Sequence, residues 1–419
     1  MASLKPLPDE VWKLVETDLQ RHYGTESELG QNRHIERLGE GQGFSSEMCL
    51  LHPDWVRKDD QVLPDKFVLK MTRKFETPKK EVKSENEEKG FGDLWKHDSD
   101  EKLNRQSMNI HNTEALVLSK LKEKRVQGIA MPKVIGVGLR PNVETVGYIL
   151  MEFVHPTAKL HMCDNVPEHG VDQVLRSLAN IEAAGYKFSE EEKSKFDTQI
   201  WNGPFKIVFE KNVQDGFIGA IRKNISGKWP QVSEDFIRIY LEMDQKYLDF
   251  VEDTNKLLGI PNVLCHGDVW ICNMLWNNEN PDAWRLEALI DYQACYFGCA
   301  AVDLARLYTG LIGGEERRTK AEIYNKRFYT YLEEALQKDD IPLPYTFEQL
   351  QEAYHRVFPL CALVVGVSMA GVGHEIVAKS ADPEKAKERL DEKHLCILED
   401  LILEHQRNLE IMKETNYSS

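Results

Sequence analysis

The chain has 419 residues and a mass of 48.3 kDa, with 42% hydrophobic and 29% charged residues. This composition excludes a disordered or collagen-like protein, and the length predicts two packed units rather than one small core. The 69 acidic residues outnumber the 53 basic ones and give a net charge of −16. A chain of this charge repels a phosphate backbone overall, so we expect no nucleic-acid partner.

The first 24 residues predict an amphipathic helix rather than a signal peptide. Val11, Val15 and Leu19 alternate with charged side chains, and the segment has no uninterrupted apolar core. The weakly polar stretch from Val357 to Gly373 is interrupted by proline, glycine and serine and predicts a buried core helix. We therefore expect a cytoplasmic protein without membrane insertion.

The segments from Ile35 to Met71 predict the start of an antiparallel sheet. They read strand, glycine turn, strand, polar loop, strand, as HIERL, then GEGQGFSSEMCLL, then KFVLKM. Glycines in a turn let backbone N–H groups approach phosphates without a side chain in the way. The candidate nucleotide-binding residues of this turn are Gly39, Gly41, Gly43, Phe44, Ser45 and Ser46.

A lysine interrupts the third predicted strand, and a buried ammonium is costly unless it is paired, so Lys70 needs an anion. We interpret the charged stretch from Glu76 to Asn112 as an insertion, partly helical or mobile. A helix is then predicted from Thr113 to Lys124, with Glu114 on its apolar stripe. Pairing Lys70 with Glu114 gives both a partner and matches the ion pair that positions ATP in kinases. Alternatively, Lys70 extends to solvent and Glu114 is an early helical acid.

Strands near Lys133 to Val137 and Gly147 to Phe153 complete the sheet pattern. The second would enter the connection between lobes, whose backbone usually meets adenine, so Glu152 and Val154 are further candidates for nucleotide binding. After about His155 the pattern is mainly helical.

This order predicts an α+β protein with a bilobal, protein-kinase-like fold. Residues 1–154 form a small antiparallel β lobe with one key helix. Residues 155–419 form a large, mainly helical lobe that carries the catalytic and substrate residues.

The chemistry is concentrated in the segment HGDVWICN, which begins at His266. It fits the kinase catalytic-loop spacing H-x-D-x-x-x-x-N. In that pattern Asp268 accepts the proton of an attacking hydroxyl, and Asn273 reaches a magnesium ion. Asp291 follows the apolar run ALI, where a second magnesium ligand belongs. His266 and Asp268 are the candidate catalytic residues. Each aspartate alone would more simply be a turn residue, but the ordered set favours a kinase site.

Four of the eight cysteines, Cys265, Cys272, Cys295 and Cys299, lie near these motifs. Their spacing lacks the paired C-x₂-C pattern of zinc sites, so we expect reduced thiols.

With these motifs, the chain resembles the choline-kinase-like and ecdysteroid-kinase-like branch of the aminoglycoside phosphotransferase superfamily. HGDVWICN, IDYQ and AVDLAR are the most specific parts. The resemblance implies Asp268 as base, Asn273 and Asp291 as magnesium ligands, and Lys70 with Glu114 at ATP. Gln293 stands where true choline kinases usually carry an acidic residue, which argues against choline as substrate.

The sequence therefore predicts an ATP- and Mg²⁺-dependent kinase that phosphorylates a small-molecule alcohol. The segment from Tyr186 to Phe250 is rich in aromatic residues, and an apolar cleft there would suit an apolar, ecdysteroid-like acceptor. A choline or ethanolamine kinase and a catalytically silent nucleotide-binding scaffold are the alternatives. A protein kinase is excluded, because Asp291 and Asp303 are too close for an activation segment.

Overall fold

The structure, a computed structural model, describes residues 7–38, 46–74, 100–158, 160–280 and 282–417. Helices form most of the second half of the chain. Their bounds are α1 (Asp9–Tyr23), α2 (Asp100–Glu123), α3 (Glu168–Gly185), α4 (Glu190–Lys193), α5 (Lys211–Asn224), α6 (Pro230–Glu242), α7 (Gln245–Glu252), α8 (Thr254–Leu258), α9 (Ala300–Leu311), α10 (Gly314–Gln337), α11 (Phe347–Ala378) and α12 (Pro383–Glu414).

Most strands lie in the first 154 residues, and four short ones return later. Their bounds are β1 (Glu28–Leu29), β2 (His34–Arg37), β3 (Glu47–His52), β4 (Trp55–Val56), β5 (Phe67–Thr72), β6 (Val134–Gly138), β7 (Gly147–Glu152), β8 (Val263–Cys265), β9 (Met274–Asn277), β10 (Arg285–Leu289) and β11 (Tyr296–Gly298).

A five-stranded antiparallel sheet forms the small lobe, in the order β2-β3-β5-β7-β6. Side chains alternate between its faces. One face, with Leu69 and Leu150, packs on α1 in a small hydrophobic cluster. On the other face Lys70 lies beside Met48 and Ile149, its cross-strand neighbours, and this face points towards α2 and the cleft.

Helix α1 has the amphipathic form predicted for the first segment. Val11, Val15 and Leu19 are buried at helical spacing, and the helix ends at Gly24, whose φ of 62° is the left-handed conformation that glycine adopts easily.

Helix α2 begins earlier than predicted. The sequence indicated a helix from Thr113, and the structure continues it back to Asp100, so residues 100–112 are the helical part of the predicted insertion. The buried side of this additional part carries polar groups, among them Asn104, Ser107 and His111. Residues 76–99 of the predicted insertion lie outside the described residues.

The large lobe is a helical assembly around two short antiparallel ribbons, β8 with β11 and β9 with β10. Helix α11 packs against α9 and α12 at its centre. Within the described ranges, α11 is also the helix long and apolar enough to cross a membrane, yet 72% of its apolar window is buried inside the protein. It is the core helix that the sequence predicted. The predicted α+β architecture, with an antiparallel β part followed by a mainly helical part, is confirmed.

Candidate active site

A buried lysine joins the two lobes at the cleft. The Nζ atom of Lys70 on β5 lies 2.5 Å from Oε2 of Glu114 on α2 and 2.6 Å from Oδ1 of Asp291. Burial opposes the charge of Lys70, but the two carboxylates outweigh this effect and raise its pKa, so the lysine is an ammonium. The sequence predicted the first of these contacts, and the second brings in the candidate metal ligand directly.

Asp291 is held in an unusual backbone conformation immediately after β10. Its φ of 69° lies in the left-handed region, which aspartate tolerates better than most residues. The next residue, Tyr292, donates its backbone N–H to Glu114. Helix α2 therefore fixes both the ammonium that binds Asp291 and the turn that presents it.

The catalytic loop is anchored from beneath by one buried carboxylate. Oδ2 of Asp303, in the first turn of α9, accepts the backbone N–H of His266 at 2.7 Å, and Oδ1 accepts that of Gly267 at 2.8 Å. Burial raises the pKa of Asp303, and His266 and these two N–H groups oppose the rise. The side chain of Asp303 therefore anchors the catalytic loop to the start of α9.

Gly267 occupies a position that a side chain cannot share. Its φ is 81°, and a Cβ atom there would lie 2.1 Å from the carbonyl oxygen of Ala294. This contact explains why the loop carries glycine where protein kinases carry arginine.

Both carboxylate oxygens of Asp268 are bound. Nη2 of Arg306 on α9 donates to Oδ1 at 2.6 Å, and Nδ2 of Asn273 donates to Oδ2 at 3.0 Å. The same amide nitrogen also donates to the backbone oxygen of Asp268 at 3.0 Å. The side chain of Asp268 is 20% exposed, so it is oriented by protein groups yet reachable from the cleft.

His266, a candidate catalytic residue, is placed differently. Its side chain is fully buried and stacks against Tyr292, with ring centroids 4.7 Å apart. Its Nδ1 atom lies 3.4 Å from the backbone nitrogen of Asp268. A buried ring cannot touch a substrate, so we reassign His266 as a positioning residue for the loop.

The two candidate magnesium ligands lie at the same end of the β9–β10 ribbon. The backbone N–H of Ile290 donates to the backbone oxygen of Asn273 at 3.0 Å, which brings Asn273 beside the start of the Asp291 turn. The side-chain oxygen of Asn273 accepts no hydrogen bond from any described residue.

The donor set here suits a magnesium ion. Lys70 carries one positive charge against the two carboxylates of Glu114 and Asp291, so one negative charge at the cleft is uncompensated. An amide oxygen and a carboxylate are the hard oxygen ligands that Mg²⁺ prefers in sites completed by phosphate oxygens.

The remaining nucleotide-binding candidates are less directly placed. Gly39, Gly41, Gly43, Phe44 and Ser45 lie outside the described residues, and Ser46 is the first described residue before β3.

At the other end of the sheet, the carboxylate of Glu152 lies on the α1 side, near Tyr23 and Lys133. Its side chain therefore points away from the cleft. Val154 follows β7 in the connection between the lobes, as the sequence analysis placed it.

The aromatic segment expected to border the acceptor is mostly core. Eight of its twelve aromatic rings are buried because helices α5 to α7 and the adjoining loops turn them inwards: Phe188, Phe196, Trp201, Phe217, Phe236, Tyr240, Tyr247 and Phe250. Phe205 is different, since the guanidinium of Arg306 lies 4.8 Å from its ring centroid. Phe205 therefore packs against the arginine that binds Asp268.

Arg306 binds the candidate base, a contact that the sequence did not predict. It belongs to the AVDLAR segment and lies three residues after Asp303, on the same face of α9. An arginine on the face of a helix that also carries Asp303 is the feature of the sequence that could have indicated its role. Within the described residues, its Nε and Nη1 atoms have no hydrogen-bond partner.

All eight cysteines are free, and the group of potential metal ligands found among the described residues lies on the sheet and includes none of them.

Comparison with known families gives one match along almost the whole chain. The DUF1679 family model, described as "Uncharacterized oxidoreductase dhs-27", matches residues 10–409. Two curated relatives from Caenorhabditis elegans match over shorter stretches. The "Uncharacterized kinase-like protein D1044.1" is 28% identical over 48% of this chain and 51% of its own length. The "Uncharacterized oxidoreductase dhs-27" is 23% identical over 57% of this chain and 29% of its own length.

The chain thus spans about half the length of one curated relative and under a third of the other. Among solved structures, choline kinase from Cryptosporidium parvum aligns over 96% of this chain and 97% of its own, with a TM-score of 0.47 and 10% identity.

Proposed function

This chain belongs to the DUF1679 family. From the geometry of its cleft we propose that it is an ATP- and Mg²⁺-dependent kinase that phosphorylates a hydroxyl group of a small, largely apolar molecule. Kinase chemistry on small molecules is the broader part of this proposal. The apolar acceptor is the narrower part.

One observation carries the proposal. Lys70, Glu114 and Asp291 come from a strand, a helix and a turn far apart in sequence, and one ammonium contacts both carboxylates within 2.6 Å. A structural ion pair would need one carboxylate for one ammonium. The additional carboxylate faces the cleft at 27% exposure, which is the arrangement needed to bind a metal and phosphates.

Asp268 is the proposed base. Arg306 and Asn273 fix its two oxygens, so its carboxylate has one orientation towards the cleft. A hydroxyl bound there would give its proton to this carboxylate as its oxygen becomes the nucleophile. When bound, magnesium and ATP supply the phosphoryl group and neutralise its developing charge.

Two partly buried aromatic side chains support an apolar acceptor. Trp270 is part of the catalytic loop, two residues after Asp268, and Phe205 covers the guanidinium that binds Asp268. Aromatic rings beside a few fixed polar groups are typical of pockets for apolar ligands. The same rings could attract a quaternary ammonium, so choline and ethanolamine remain the second candidates.

The description "Uncharacterized oxidoreductase dhs-27" is shared by the family model and one relative, and the match covers 29% of that relative, so most of that protein lies outside the part that resembles this chain.

The test is turnover of ATP with mass-identified products. The panel contains sterols, other apolar alcohols, choline, ethanolamine and aminoglycosides, each with wild type and with Asp268→Asn. We expect an apolar alcohol to be phosphorylated and the variant to lose about 10²- to 10⁴-fold in rate, because the base is removed while the shape is kept. MgATP binding by the variant, measured by calorimetry, should be nearly unchanged.

The outcomes separate the two parts of the proposal. Efficient phosphorylation of choline or ethanolamine with apolar alcohols inert would replace the acceptor class and leave the kinase standing. If Asp268→Asn keeps more than about a tenth of wild-type turnover, Asp268 is not the base. ATP binding without turnover on any acceptor would favour the silent scaffold.

A further inference from the structure

Three potential metal ligands emerge together from the sheet at a distance from the candidate active site. His34 and Glu36 are two residues apart on β2, and His52 on β3 is the direct cross-strand partner of His34. Residues two apart on a strand, and direct partners on neighbouring strands, project from the same face of a sheet. The strand register therefore brings two imidazoles and one carboxylate together.

The distances fit a common ligand. Nε2 of His34 lies 3.5 Å from Oε1 of Glu36, and Nε2 of His52 lies 3.6 Å from Oε2 of the same carboxylate. One ligand atom from each residue lies within 4.8 Å of the other two. Ligands of a tetrahedral zinc ion are about 3.4 Å apart, because each bond is about 2.1 Å long. His34 and Glu36 are more than half exposed, so small rotations can close the difference.

A hydrogen bond on the other ring nitrogen orients the His34 ring. Its Nδ1 atom lies 3.0 Å from the backbone oxygen of Asn32, and a carbonyl oxygen can only accept, so Nδ1 carries a proton. Its Nε2 atom, on the other side of the ring, faces the Glu36 carboxylate. A backbone carbonyl on the other ring nitrogen is also the usual support of a metal-binding histidine.

His52 contributes a second, independent sign. Its Nε2 atom is enclosed, and it has no hydrogen-bond partner in the part of the chain that the structure describes. The two imidazole rings stack with centroids 4.6 Å apart and an interplanar angle of 7°. Each Nε2 atom lies near a different oxygen of the Glu36 carboxylate.

We propose that His34, Glu36 and His52 bind a divalent transition-metal ion of the zinc type, with the fourth position open to solvent. Two imidazoles and one carboxylate suit such an ion, whereas Mg²⁺ prefers oxygen ligands alone. The site is separate from Asn273 and Asp291 and does not depend on the proposed kinase activity.

The position of the ion gives it a role in the small lobe. His34 and His52 lie at the open end of the β2–β3 pair, and the other end of this pair leads into the predicted glycine turn. The register places Met48 of β3 beside Lys70, so the ligands project from the sheet face that carries Lys70. A bound ion would fasten these two strands to each other at the end away from the turn.

The experiment uses the full chain after chelator treatment and removal of the chelator. Cobalt(II) is titrated with visible absorption as the readout, and zinc is then added to displace it, with excess Mg²⁺ present throughout. We expect one equivalent to bind and zinc to displace it. His34→Ala and His52→Ala should each weaken binding at least about tenfold, and Glu36→Gln should do the same. His374→Ala, which removes an exposed histidine on α11, is the matched control and should bind like wild type.

Folding is verified by circular dichroism, and the two substituted positions on β2 are exposed enough for the variants to fold. Failure of wild type to bind cobalt or zinc below about 1 mM would overturn the proposal. So would equal binding by wild type and by the His34→Ala/His52→Ala double variant, because the bound ion would then lie elsewhere.

Discussion

At the scale of single residues, the candidate base is defined by two side chains that hold it. Arg306 and Asn273 each take one oxygen of Asp268, and a charge-assisted bond of this kind is worth roughly 1.5–3 kcal/mol. Arg306 is 6% exposed and leaves two of its nitrogen atoms without described partners. A buried cation with incomplete hydrogen bonding costs stability. Its contact with Asp268 is the reason to test whether the arginine serves the reaction as well as the fold.

We expect Arg306→Ala to lower kcat by at least about tenfold while the KM for ATP changes little, because the loss is confined to the orientation of Asp268. Arg306→Lys keeps the charge without the planar fork and should recover part of the rate. Steady-state kinetics on any accepted alcohol measures both quantities. A structural role alone would instead raise the KM for ATP and lower the unfolding temperature, with no recovery by lysine.

A second prediction concerns Asp291. Asp291→Ala should weaken nucleotide binding in the presence of Mg²⁺ much more than binding in excess chelator, because its carboxylate would act through the metal. Calorimetry with ATP under the two conditions gives the comparison. Since Asp291 also contacts Lys70, Asp291→Asn serves as the control that keeps the volume. Equal losses with and without Mg²⁺ would contradict the ligand assignment.

What the sequence could predict at this scale follows from the cost of buried charge. Lys70 and Glu114 were paired correctly because each lay on an apolar element and needed a counter-ion. The contact between Arg306 and Asp268 spans 38 residues. It depends on how α9 packs beneath the loop, which no local pattern encodes.

At the scale of elements, the sequence predicts the boundaries of a helix or strand only where its buried side chains are apolar. The strands around Lys70 were found because their apolar residues are continuous. The start of α2 at Asp100 could not be located within the partly helical insertion, because its buried side carries polar residues such as Asn104, Ser107 and His111, which leave no apolar stripe in the sequence. In the aromatic segment the pattern itself is ambiguous, because rings at helical spacing are a core signal as well, and eight of the twelve rings from Tyr186 to Phe250 are buried.

A buried acid between two helices makes stability depend on pH. The carboxylate of Glu182 on α3 accepts a hydrogen bond of 2.9 Å from the hydroxyl group of Tyr345, which lies just before α11. Burial, partly offset by this hydrogen bond, raises the pKa of Glu182 from 4.5 to about 8. Between these values the folded protein holds a proton that the unfolded chain releases, so the free energy of unfolding falls as pH rises through this window.

We therefore expect Glu182→Gln to remove a pH-dependent loss of up to about 3 kcal/mol between pH 5.5 and 8. The measurement is the urea midpoint at both pH values. Glu333→Gln, an exposed acid on α10, is the control and should follow wild type. Parallel pH profiles for wild type and Glu182→Gln would show that Glu182 is ionised in the folded protein.

At the scale of the whole molecule, two hydrophobic clusters divide the structure unequally. The smaller joins α1 to one face of the sheet through Val15, Leu19 and Leu69. The larger runs from Ile149 on the other face of the sheet to Leu401 on α12. The sheet is thus part of the main core on one side and carries α1 as a separate layer on the other.

This division predicts unequal protection from hydrogen exchange. Amides of α1 should exchange through a local opening at lower free energy than amides of α11, because few buried contacts hold α1 in place. Exchange followed by mass spectrometry at peptide resolution measures the difference. Equal protection of the two helices would mean that α1 opens only with the whole protein.

The shared core also determines when the small lobe can be completed during synthesis. Ile149 and Met151 on β7 belong to the same cluster as Leu401 on α12, about 250 residues later in the chain. A ribosome that has released the whole sheet has already made α2, which packs on β5, β6 and β7, but it has not yet made the later helices that complete this cluster. Until those helices emerge, the apolar residues that the sheet and α2 contribute to the cluster are incompletely covered, and the nascent chain presents an apolar surface that a chaperone can bind.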